Sequence, residues 1–163
     1  MSSDVLQVLL GRVPTIIPNA ILHNHSRHPV RGRVYPGVIP TPINTSSSLS
    51  SVEGKLLLDI TPLEMKYLDW FENEGVDYNR IKVQVMIPNN TSNENGEHDN
   101  NSEEQTTKQQ QTNAYIWSLG TSKLDTSCDW DYNMFVEKHL EWYIENVVMP
   151  CRIEIEEEFG LRR

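Results

Sequence analysis

Apolar residues recur at helical spacing at Val5, Leu6, Leu9 and Leu10, and Gly11 follows them. This predicts a helix over Ser3 to Leu10, capped by Asp4 with Gln7 three residues on. Pro14 and Pro18 then interrupt the chain, predicting an irregular stretch as far as Ala20 to Leu22. In "HPVRGRVYPGVIPTP" the alternation predicts a strand from Val30 to Ile39 with a bend at Tyr35-Pro36-Gly37. Proline is confined to strand edges, ends and bulges, and glycine admits a close neighbour. The bend is therefore either a bent edge strand or the lip of a pocket. "TPINTSSSLSS" reads as a loop, and "VEGKLLLDI" as a strand buried on both faces. In "TPLE", Thr61 is an N-cap, Pro62 opens the helix and Glu64 closes a capping box. That helix runs to about Glu72 and buries Leu63, Tyr67, Leu68 and Phe71. Ile81, Val83, Val85 and Ile87 share one face of a strand, and "AYIW" from Ala114 is a second, short one.

Pro88 to Asn113 contains no large apolar residue and is rich in Asn, Gln, Glu and Ser. Such a segment cannot offset its ordering entropy by burial, which predicts a disordered loop over 88–113. "DWDYNMFVEKHLEWYIENVV" is amphipathic, with Phe135, His139, Trp142, Tyr143 and Val147 on one side and Pro150 as its stop. The last stretch, 151–163, is an acidic tail whose pattern suits helix or strand equally. The order of elements predicts one α+β domain over 1–150, a small mixed barrel or sheet flanked by helices.

Charge narrows the partners. The 163 residues carry 14 basic and 23 acidic side chains, a net charge of −9. An acidic chain with no basic stripe repels phosphate backbones, so nucleic acid is not expected as a partner. No apolar run has the length of a membrane span, and the N-terminus lacks the pattern of a signal peptide. Cys128 and Cys151 show no metal-ligand or redox spacing, which fits free thiols and a cytoplasmic location. His23, His25 and His28 lie close together, but no second ligand cluster accompanies them, so no metal site is expected.

The segment with chemistry is "LDWFENEGVDYNR", Leu68 to Arg80. Glu72 follows a buried aromatic at the end of a helix. A carboxylate at the edge of an apolar core ionises reluctantly, which is how a glutamate becomes a general base. The alternative is a solvated acidic helix end that includes Glu74 and Asp77.

"VLQVLLGRVP", "GRVYPGVIP", "VEGKLLLDITPLEMKYLDWFE", "DYNRIKVQV" and "AYIW", in this order, resemble the gamma-glutamylcyclotransferase-like superfamily, in particular its plant avirulence-induced-gene-like branch. The resemblance implies a small mixed barrel with helices, no cofactor, and a small γ-glutamyl substrate cyclised to 5-oxoproline. It implies Glu72 as general base, with Glu74 as the runner-up because a glycine usually follows the family's glutamate. It also implies that Tyr35, Pro36 and Tyr78 line the substrate pocket. A Tyr-Gly-Ser/Thr-Leu strand that precedes these motifs in the family is not found here; Met1 aligns just after it. On that ground the chain as written is expected to be poorly soluble and inactive. A non-catalytic, binding member of the family is the alternative function.

Overall fold

The computed structural model describes residues 1–41, 50–89 and 107–160. The chain is α+β. Helix α1 (Ser3–Leu10) leads into strands β1 (Thr15–His23), β2 (His25–Pro29), β3 (Pro36–Pro40) and β4 (Ser51–Leu58). Helix α2 (Pro62–Phe71) precedes strands β5 (Tyr78–Pro88) and β6 (Thr107–Trp117). Helices α3 (Tyr132–Lys138), α4 (Leu140–Tyr143) and α5 (Met149–Glu158) close the fold. One sheet has the order β4-β1-β5-β6, and β2 pairs with β3 in a second. All pairings between these strands are antiparallel.

Local chemistry accounts for most element ends. Thr61 caps α2, Glu64 completes the capping box, and Pro62 sits in the first turn, as the sequence implies. The cap of α1 is Ser2 rather than Asp4: its hydroxyl accepts from the Val5 N–H at 3.2 Å. Gly11 ends that helix at φ 77°.

The alternating stretch from Val30 to Ile39 is not one bent strand but the turn and second arm of a hairpin. His25 pairs with Pro40 and Pro29 with Pro36, and Gly32 turns the chain at φ 72°. The glycine inside this arm answers to packing: a Cβ on Gly37 would lie 2.8 Å from Leu124 Cδ2 and 3.0 Å from Trp117 Cγ. The stretch around Pro18 is also ordered. It is strand β1 with a register shift between Ile17 and Ala20, an irregularity of the kind that admits proline.

Two expectations about the C-terminal half change. Thr107 to Asn113 belong to β6, and Thr107 to Trp117 pair without a break with Tyr78 to Pro88. The predicted loop is thus shorter by its last residues, and its part at 90–106 lies outside the described residues. Pro150 does not stop the helix. A π-helical segment, Ile144–Val148, resets the register before it, and Pro150 falls in the first turn of α5, where no N–H is needed. The predicted tail is therefore helical to Glu158, and Ile155 within it is fully buried.

The main core joins the helices: Leu6 and Leu9 of α1, Tyr67 and Leu68 of α2, Phe135, Tyr143, Val148 and Ile155. Leu63 is 44% exposed and Trp142 53% exposed, so neither contributes. A second cluster, Ala20, Leu56, Val85 and Ile87, lies on the larger sheet. Strand β4, expected to be buried on both faces through Leu56, Leu57 and Leu58, has only Leu56 of these buried. Strands β1 and β5 pair in register at Ile21 with Met86. No helix among the described residues is long and apolar enough to cross a membrane.

Candidate active site

The end of α2 is a tight reversal. Asn73 takes the left-handed conformation at φ 49°, its N–H donating to Trp70 O at 3.1 Å, while the Glu74 N–H reaches back to Asp69 O at 2.9 Å. This pair of bonds is the Schellman arrangement, in which glycine is the usual left-handed residue and asparagine the next best. Glu72 is the last residue before the reversal, with φ −82° and ψ 0°. Asp69, one turn earlier, holds the neighbouring strands: Arg80 donates to it twice, at 2.7 and 3.2 Å, and the Tyr115 hydroxyl donates at 2.7 Å. The helix end is thereby tied to β5 and β6.

Glu72 forms part of the wall of a cavity of about 520 Å³, together with Tyr35, Pro36, Tyr78, Tyr115 and Tyr143. That volume is in the range of small-molecule sites. Burial pushes the Glu72 carboxyl up to about 7; the amino group of Met1, in the same cavity, pulls it the other way. Glu72 accepts no hydrogen bond from another described residue, and no described arginine or lysine forms an ion pair with it. Its charge in turn raises the hydroxyls of Tyr78, Tyr115, Tyr143 and Tyr35, in each of which burial is the leading cause. A carboxylate in this setting is a proton acceptor near neutral pH.

The tyrosines are held by rings and hydroxyls. The Tyr78 hydroxyl donates to Pro36 O at 2.7 Å, and its ring meets Trp117 edge-on at 5.2 Å. The Pro36 carbonyl is thus engaged in joining the hairpin to β5. Tyr143 stands between Tyr35, at 6.3 Å, and Phe71, at 6.4 Å between ring centroids.

Of the residues singled out in the sequence, Glu72, Tyr35, Pro36 and Tyr78 meet in this one cavity. Glu74 does not join them. It is exposed and borders a separate open groove with Lys66, Trp70 and Cys151. Tyr115, Tyr143 and Asp69 were not assigned a part in the site. Asp69 lies inside the quoted Leu-Asp-Trp-Phe-Glu string, but Tyr115 and Tyr143 reach the cavity only through the fold.

The family described as "Gamma-glutamyl cyclotransferase, AIG2-like" matches residues 1–132. AIG2-like protein D of Arabidopsis thaliana is 30% identical over 145 residues, covering 89% of this chain and 79% of that protein. AIG2-like protein B of the same plant is 28% identical over 142 residues, covering 87% and 67%. The solution structure of At5g39720.1 from Arabidopsis thaliana has 25% identity and a TM-score of 0.55, over 93% of this chain and 85% of that one. The chain belongs to the AIG2-like gamma-glutamyl cyclotransferase family.

Proposed function

We propose that the chain is a gamma-glutamylcyclotransferase with Glu72 as its general base. The observation that carries this reading is one carboxyl, pushed up to about 7 by burial, on the wall of a cavity ringed by tyrosines. A γ-glutamyl compound holds its nucleophile and its electrophile in one molecule. Glu72 takes a proton from the α-ammonium. The freed amine attacks the γ-carbonyl carbon, and a C–N bond closes the five-membered ring. The C–N bond to the leaving group then breaks as Glu72 returns the proton to the departing nitrogen; the second proton shed by the ring nitrogen passes to the released amine, which leaves as an ammonium. The products are 5-oxoproline and an amine or amino acid. Because the attack is intramolecular, holding the substrate folded supplies much of the acceleration. Tyr35, Tyr78 and the Pro36 segment form the wall that does so in this reading.

The geometry favours Glu72 over Glu74, because Asn73 adopts the left-handed turn that a glycine would otherwise provide directly after Glu72. A reducing, cytosolic setting suits the two free thiols, Cys128 and Cys151. The test is release of 5-oxoproline from a γ-glutamyl substrate by the purified chain, both as written and with a family-type strand ending in Tyr-Gly-Ser-Leu added before Met1, since the chain as written is expected to be inactive without that strand. In Glu72→Gln, turnover is expected to fall at least ~100-fold, the scale of a lost general base. Undiminished turnover in that variant overturns the assignment.

A further inference from the structure

Two tyrosines on the wall of the Glu72 cavity are equally buried, each 8% exposed: Tyr78 on β5 and Tyr143 at the end of α4. Tyr78 spends its proton on Pro36 O. The hydroxyl proton of Tyr115, on the same wall, is spent on Asp69, which Arg80 also holds. The Tyr143 hydroxyl has no hydrogen-bond partner among the described residues. Every side-chain nitrogen or oxygen shut off from solvent among those residues is paired, so this hydroxyl is not shut off. It opens on the cavity that the residue lines. A hydroxyl so deeply placed costs the fold unless water or a ligand pairs it. Tyr35, whose ring lies 6.3 Å away, is likewise unpaired but only half-buried, so bulk water reaches it.

The ring of Tyr143 is fixed by its neighbours. It meets Phe135 edge-on at 5.5 Å and Phe71 at 6.4 Å, and Phe71 is the residue before Glu72. The π-helical segment Ile144–Val148 begins directly after Tyr143, and Val147 within it also lines the cavity. Single π turns within helices recur at functional sites. Tyr143 lies beyond residue 132, where the family match ends. Burial, with the Glu72 charge second, raises this hydroxyl and keeps it protonated through the range in which Glu72 ionises.

Building on the cyclotransferase reading, we propose that Tyr143 donates its hydroxyl to the γ-carbonyl oxygen of the substrate. As the amine nitrogen bonds to the carbonyl carbon, the C=O π pair moves onto oxygen. Tyr143 holds that oxyanion by a hydrogen bond and keeps its own proton. When the bond to the leaving nitrogen breaks, the pair returns to form the lactam carbonyl. Tyr78 and Tyr115 cannot take this part, because their protons are engaged and they offer the cavity only lone pairs. A fixed donor in a site shielded from water is worth most where charge develops during the reaction. The C-terminal helices then supply a catalytic residue as well as packing.

The test is Tyr143→Phe, which removes the oxygen and keeps the ring, in whichever form of the chain releases 5-oxoproline. Its kcat is expected to fall ~100-fold, the scale of one lost oxyanion donor, with KM within ~3-fold. Tyr67→Phe, which removes a buried hydroxyl away from the cavity, should leave kcat within ~2-fold. An unchanged kcat in Tyr143→Phe overturns the proposal. So does a rise in KM alone, which places the hydroxyl on a group that is charged from the outset, the α-carboxylate. Isotope-edited infrared spectra of bound 5-oxoproline, labelled with carbon-13 at its ring carbonyl, test the same bond without turnover. The carbonyl stretch should lie at lower wavenumber in the wild type than in Tyr143→Phe. If no form of the chain is active and this difference appears, the cyclotransferase reading fails and the donor stands. Equal stretches in the two proteins overturn the donor, as does an inactive wild type that binds no 5-oxoproline.

Discussion

The two ends of α2 each carry a glutamate drawn into the protein, Glu64 buried and Glu72 half-buried, and the two behave in opposite ways. At the start, Glu64 is only 7% exposed but well supplied with donors. Arg12 donates to both of its oxygens, at 2.6 and 2.7 Å, and the Thr61 N–H adds a third bond at 2.8 Å. Chiefly through the bond from Arg12, its carboxyl is held down at about 2. At the other end, Glu72 has burial without donors, and its carboxyl is pushed up to about 7. Burial alone therefore does not make a base. What separates a structural carboxylate from a reactive one is whether the protein supplies partners or leaves that place to a ligand.

The sharpest way to break this comparison is to remove each charge in turn and measure turnover. Glu64→Gln should leave kcat/KM of the folded protein within ~3-fold, against the loss of at least ~100-fold in Glu72→Gln. In the wild type, kcat/KM should fall about tenfold per pH unit below the Glu72 value of about 7, because the protonated carboxyl cannot accept the ammonium proton. A flat profile from pH 5 to 8 would show that no group of this kind limits the reaction. If Glu64→Gln were as damaging as Glu72→Gln at equal folded fraction, the division between the two ends would be wrong.

Stability should move the opposite way. The folded carboxyl of Glu72 lies above its ordinary 4.5, so the stability linked to it is whole below pH 4.5 and is lost as the pH rises through about 7. Glu72→Gln should thus stabilise the chain at pH 8 by up to about 3 kcal/mol, and not at pH 4. The folded carboxyl of Glu64 lies below 4.5, so its contribution is whole above pH 4.5 and is lost as the pH falls towards about 2. Glu64→Gln should cost about 1–3 kcal/mol at pH 7, discounted because Arg12 is 41% exposed. Urea titrations of both variants at pH 4 and pH 8 check the two signs.

The two ends were not equally legible in the sequence. The start of α2 is local chemistry: Thr61, Pro62 and Glu64 determine the cap within four residues, and the structure has that cap. Arg12 was not seen as the partner of Glu64 because it is brought there by the fold. The position of Glu72 follows from the Leu68 and Phe71 register, but the ring of tyrosines comes from the turn before β3 and from β5, β6 and α4. The residues of β6 from Thr107 to Asn113 were read as loop for a physical reason. That half of an edge strand is almost wholly exposed, so it carries no apolar alternation and is held by backbone pairing with β5.

A smaller effect tests how the reversal aims Glu72. Asn73 holds φ 49°, a conformation that costs asparagine something and glycine nothing. Asn73→Gly should keep the turn and turnover, and change stability by less than about 1 kcal/mol. Asn73→Val, a branched residue at positive φ, should destabilise the helix end and lower kcat/KM by displacing Glu72. Equal kcat/KM in the glycine and valine variants would mean that the turn does not position the carboxyl.

The smallest expected effect is at Glu74, and it bears most directly on which glutamate matters. Glu74 follows the reversal, so its side chain leaves the cavity side and borders the open groove beside Lys66, Trp70 and Cys151. Its hydrogen bonding among the described residues is through the backbone, the N–H donating to Asp69 O at 2.9 Å beside a bridge to Tyr78, while its charge acts on Arg80. Glutamine preserves that backbone and the size of the side chain. Glu74→Gln is therefore expected to change kcat/KM by less than ~2-fold and stability by less than about 0.5 kcal/mol, the usual range for an exposed substitution. If this variant lost turnover while Glu72→Gln retained it, the base would lie past the helix end. The raised carboxyl at the end of α2 would then be a feature of packing alone.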